Sequence, residues 1–100
     1  MEKYTKLVRD KIPEILDEKG ISYQKEIATG EELKDWLIKK LEEEIAEFKE
    51  AKNVEELADV LEVIRALEKL PEFSDLENVR QKKADERGGF EKGIILTGEK

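Results

Sequence analysis

Glu44 and Glu47, and then Glu56 and Asp59, form two pairs of carboxylates three residues apart in a chain that has no histidine and no cysteine. At helical spacing each such pair lies on one face, roughly 5–6 Å apart at Cβ. Without imidazole or thiolate, any metal chemistry must run on oxygen ligands. Clustered carboxylates of this kind suit hard cations, Mg²⁺ or Mn²⁺, which keep some waters and complete their shell with substrate phosphates.

The elements that would position these acids can be read from periodicity. On a helical wheel, Leu33, Trp36, Leu37, Leu41, Ile45 and Phe48 form one stripe, with Glu44 inside it, Glu47 at its edge, Glu43 intermediate and Glu42 on the far side. A second apolar arc runs through Val54, Leu57, Val60, Leu61, Val63, Ile64 and Leu67, with Glu56 within it and Asp59 at its margin. Taken singly, each acid reads as a solvated residue or a cap, and Glu56 has cap spacing from Asn53. Taken together, they put one acid of each pair inside an apolar face and one at its border. A core-facing carboxylate is costly unless it is paired or binds metal. The short link through Ala51, Lys52 and Asn53 makes the two helices antiparallel neighbours and brings the pairs together near the turn.

Four helices are expected. Asp10 caps the first, with Pro13 in its first turn and Gly20 beyond its end, and Thr29 with Glu32 opens the second, which runs to about Lys52. Asn53 caps the third, which Pro71 stops, and Ser74 with Glu77 caps a fourth ending at Gly88-Gly89. The predicted fold is an all-α, four-helix bundle in one domain spanning 1–100. The alternation around Tyr23 and the β-formers around Ile95 add a small two-stranded ribbon.

Two basic groups flank the acids. Lys6, Arg9 and Lys11 precede the first helix, while Arg80, Lys83 and Arg87 form a ridge on the fourth. Either is a candidate grip on an anionic ligand; the alternatives are a solvated terminus and macrodipole compensation in a last turn. Gly88-Gly89 reads as a helix stop or as a close approach to phosphate, and Trp36 and Phe90 as core or as stacking platforms.

Charged residues make up 45% of the chain, a Lys- and Glu-rich bias typical of proteins from hot habitats. The net charge of -7 concentrates between Glu42 and Glu62, where nine acids face two lysines. Such a field repels nucleic-acid phosphates, which disfavours a nucleic-acid polymer as partner. Apolar runs are too short for a membrane span, and Met1 to Asp10 lacks the apolar stretch of a leader, so a cytoplasmic location is expected. One hundred residues make a small core, so a homodimer or higher homo-oligomer is expected too.

Glu43-Glu44-Ile45-Ala46-Glu47 followed by Glu56-Leu57-Ala58-Asp59 resembles the EExxE…ExxD signature of the all-α NTP pyrophosphatase superfamily, the MazG-like enzymes. The segments Lys6 to Pro13 and Arg87 to Lys92 resemble its phosphoribosyl-ATP pyrophosphohydrolase-like subgroup. The resemblance implies Mg²⁺ held by Glu44, Glu47, Glu56 and Asp59. It also implies Glu43 as an auxiliary acid, and Lys6, Arg9, Lys11, Lys83 and Arg87 as phosphate contacts; with histidine absent, the proton of an attacking water is expected to pass to Glu43 or Glu47, or to solvent after metal activation. The activity implied is hydrolysis of a nucleoside triphosphate to monophosphate and pyrophosphate, as house-cleaning of non-canonical nucleotides. Asp59 is followed by Val60-Leu61, not by the Tyr-His of the histidine-biosynthesis hydrolase, so phosphoribosyl-ATP is the second reading. A non-catalytic helical dimer acting as an interaction or regulatory module is the third.

Overall fold

The computed structural model describes residues 5–99. Residues 1–4, part of the stretch read as too polar for a leader, and residue 100 lie outside the described residues. The fold is all-α, with α1 at Ile12–Glu18, α2 at Gly30–Ala51, α3 at Val54–Glu68, a 3₁₀ turn at Pro71–Phe73 and α4 at Leu76–Arg87. No helix among the described residues is long and apolar enough to cross a membrane.

The hairpin of α2 and α3 is the heart of the molecule and carries most of its close helix packing. Leu37 from α2 and Val63 from α3 are its buried apolar residues, as the two stripes predicted. The turn between them rests on two residues. Lys52 takes the left-handed conformation, φ 54 and ψ 39, and its N–H donates to the Phe48 carbonyl at 2.7 Å, closing the end of α2. Asn53 then opens α3, its side chain accepting from the Glu56 N–H at 2.9 Å.

Several boundaries differ from expectation. Lys11, not Asp10, occupies the N-cap of α1, with Pro13 in the first turn as expected. Thr29 precedes α2 but makes no side-chain cap bond; the chain turns into that helix through Gly30 at φ 57 instead. Ser74 spends its hydroxyl on the Pro71 carbonyl at 2.9 Å, closing the 3₁₀ turn, and Asp75 becomes the N-cap of α4.

The ribbon expected between Tyr23 and Ile95 is absent among the described residues, since neither segment forms a strand. The Tyr23 hydroxyl donates to Asp17 at 2.8 Å, tying its segment back to α1. Ile94, Ile95 and Leu96 stand largely in solvent. Both stretches have β propensity, but a lone pair of strands with nothing packed on its face is marginal.

The chain is elongated, 56 × 32 × 25 Å with a radius of gyration of 17.9 Å. A compact chain of 100 residues has a radius of about 13 Å. The accessible surface is 9420 Å² for 11.6 kDa, against about 5,800 Å² from area–mass scaling. Part of the apolar arc of α3 stays open, with Val54, Leu57 and Leu61 exposed, as are Ile38 and Ile45 on α2. The arc is broader than a single neighbouring helix can cover.

Candidate metal centre

The α2–α3 turn determines what the acids do. Oxygen atoms of Glu44, Glu56 and Asp59 lie within 4.8 Å of one another, forming a group of three from two helices. Glu44 is buried, with 7% of its surface exposed, and Glu56 and Asp59 are half-buried. Oε2 of Glu44 and Oε2 of Glu56 are buried without a hydrogen-bond partner.

A buried carboxylate oxygen normally finds a donor. Two such oxygens in one cluster carry a desolvation cost that a bound cation or ordered water would offset. Glu56 is informative because its N–H serves the cap while Oε2 of its carboxylate is buried without a partner, so the cap alone does not account for the side chain. Mg²⁺ holds oxygens at about 2.1 Å, so two opposed ligands sit about 4.2 Å apart. The three carboxylates lie close enough, within 4.8 Å, to share one cation once their side chains close on it. The donor set, all carboxylate, fits a hard divalent cation.

Glu47, expected as a fourth ligand, is exposed and lies outside this group. One turn beyond Glu44 toward the helix end, it sits on the shoulder of α2 facing water. Glu43 is half-buried, and its carboxylate is 3.6 Å from the Lys40 ammonium. The same ammonium is 3.3 Å from Oε1 of Glu44.

Lys40 is a residue that sequence reasoning missed. Its signal was present, because it stands three residues before Glu43 and four before Glu44, the spacing of helical ion pairs. Arg9 was singled out as a phosphate contact, and the structure places its guanidinium 2.7 Å from Oδ1 of Asp59. Lys6 and Leu7, just before it, line a shallow crease with Trp36, Lys39, Lys40 and Glu43 of α2. The segment ahead of α1 thus crosses the hairpin, touching α2 through Lys6 and Leu7 and α3 through Arg9. Trp36 is half-buried, and the Lys39 ammonium lies 5.3 Å from its ring centroid.

Lys11 is exposed at the cap of α1. Lys83 and Arg87 lie on α4, where they line a separate open concavity with Arg80, Gly88, Gly89 and Phe90. Arg80 is committed to Glu77, with contacts as short as 2.6 Å. That bond holds the Glu77 carboxyl below its ordinary range and the guanidinium above its own.

No family model, curated protein or solved structure matches this chain.

Proposed function

We propose that the chain is a Mg²⁺-dependent nucleotide pyrophosphohydrolase that cleaves nucleoside triphosphates to monophosphate and pyrophosphate, with house-cleaning of non-canonical nucleotides as its role. The observation carrying this reading is the pair of buried, unpartnered oxygens of Glu44 and Glu56 converging with Asp59. Likeness of the acidic segments to the MazG-like signature supports the choice of reaction.

On this reading Glu44, Glu56 and Asp59 hold the cation, and Glu47 meets it through a bound water. Bound Mg²⁺ supplies Lewis-acid stabilisation of phosphate charge and a more acidic water. The reaction forms a bond from water oxygen to the α-phosphorus and breaks the bond to the pyrophosphate oxygen. Glu47 or Glu43, both near the cluster in sequence and neither among its three converging ligands, takes the water's proton. Pyrophosphate leaves as an anion. Basic side chains at the rim offset the charge that the triphosphate brings.

A homodimer in the cytoplasm, where nucleotides are found, belongs to the same proposal. A second copy is the occupant that fits the open face of Val54, Leu57 and Leu61. The surface in excess of a compact monomer, about 3,600 Å², exceeds one subunit's share of an obligate homodimer interface.

The test is a panel of canonical and modified nucleoside triphosphates, with phosphoribosyl-ATP included, assayed with Mg²⁺ for pyrophosphate release. At least one triphosphate is expected to turn over. Glu44→Gln should lower kcat/KM by more than about 100-fold, beyond the loss usual for a group behind the ligands. Absence of turnover across the panel, together with a melting temperature indifferent to Mg²⁺, would leave a helical interaction module as the better account.

A further inference from the structure

Arg9 and Lys40 are each paired with a carboxylate of the acidic cluster. Arg9 sits on Oδ1 of Asp59 at 2.7 Å, and Lys40 sits on Oε1 of Glu44 at 3.3 Å while also reaching Glu43 at 3.6 Å. Oε2 of Glu44 and Oε2 of Glu56 are buried without a hydrogen-bond partner. The four carboxylates Glu43, Glu44, Glu56 and Asp59 against these two cations leave two negative charges, the charge of one divalent ion.

We infer that Arg9 and Lys40 are the anion-binding groups of this site, held by its carboxylates until a divalent cation takes those oxygens and frees them for a phosphate or pyrophosphate group. The inference rests on the metal reading above and adds to it the residues that take the anion and the order of binding.

Three features support the exchange. Arg9 belongs to a segment without regular structure and has a side chain 56% exposed, so it can turn without breaking a helix. A guanidinium or ammonium bond to phosphate is as strong as one to carboxylate, so changing partner costs little. Lys40 also faces the crease that Lys6 and Lys39 line, so a phosphate at its ammonium meets further positive charge. The four carboxylates with one divalent cation still carry two negative charges, so without Arg9 and Lys40 the cluster repels an anion. Arg9 and Lys40 supply the attraction only after their release.

Calorimetric titration of Mn²⁺ alone, and then of pyrophosphate into the Mn²⁺-loaded protein, separates the two roles. Arg9→Gln and Lys40→Gln are each expected to tighten Mn²⁺ binding about fivefold or more, as removal of a nearby unit charge should. The same variants should weaken pyrophosphate binding about tenfold or more, from loss of a charge-assisted bond. Arg9→Lys, which keeps the charge, should fall between the parent and Arg9→Gln in both titrations. Circular dichroism of each variant reports whether the helices are intact. Weaker Mn²⁺ binding in both variants with helices intact would mean that these cations merely brace the ligands, and would overturn the inference. Unchanged pyrophosphate affinity would overturn it as well. A parent protein that ignores Mn²⁺ would sink the metal reading itself, whereas a parent that binds Mn²⁺ beside unaltered variants would remove only this step.

Discussion

Glu56 and Glu47 were both expected as metal ligands, Glu56 within its apolar arc and Glu47 at the edge of its stripe, and they occupy different environments. The Glu56 carboxylate presents a buried, unpartnered oxygen; Glu47 lies in solvent. Their substitutions should therefore separate. If the cluster binds Mg²⁺ as proposed, a hundredfold excess over the dissociation constant should add about 2.7 kcal/mol of stability to the parent. For a chain of this size that is a rise in Tm of roughly 10 °C or more. Glu56→Gln is expected to abolish that rise while leaving the cation-free protein at least as stable as the parent, since it removes a poorly solvated charge. Glu47→Gln should keep most of the rise and lose turnover, as a proton acceptor would. Thermal melts with and without Mg²⁺, alongside pyrophosphate release, check both. Legibility at this scale followed burial. The helical wheel separated Glu44 and Glu56 from their neighbours because apolar periodicity reports facing directly. It could not register Arg9 against Asp59, fifty positions away in sequence, because an ion pair between a coil and a helix leaves no local pattern.

Among the elements, the link from α2 to α3 controls whether the acids meet. Lys52 holds a left-handed conformation that costs an L-residue roughly 1–2 kcal/mol. Lys52→Gly relieves that cost but enlarges the unfolded ensemble, so a net gain of up to about 1 kcal/mol is expected, read as a higher Tm with Mg²⁺ affinity unchanged. A drop in Mg²⁺ affinity would mean that the lysine side chain itself matters. On α4, Glu77 and Arg80 give a pH dependence whose sign is determined. The Arg80 hydrogen bond lowers the Glu77 pKa, so its contribution is present above the ordinary glutamate range and is lost as pH falls through the depressed value. Helix content from α4 should therefore decline on acidification below the normal carboxylate range. Glu77→Gln should flatten that part of the circular-dichroism titration. The long helices were legible because each carries an amphipathic stripe and an identifiable stop. The β-ribbon was misjudged because propensity near Tyr23 and Ile95 says nothing about whether a packing surface awaits the strands. The 3₁₀ turn after Pro71 went unseen because one hydroxyl decided it: Ser74 bonds backward to Pro71 instead of forward into α4.

For the molecule as a whole, the area and the radius of gyration make the same point: two buried apolar side chains among the described residues are a slender core. If a second copy covers the open side of α3, a charge placed there should be costly. Leu61→Glu is expected to shift sedimentation from dimer to monomer and to lower Tm by several degrees, whereas Glu62→Lys, on the solvent side, should do neither. The elongated outline also bears on how the protein ought to be handled. A fold completed by a twin obeys mass action, so Tm should climb with the logarithm of concentration, and nanomolar solutions should melt earlier than micromolar ones. Enzyme assays run at extreme dilution would then sample separated halves, and specific activity would fall as the protein is diluted.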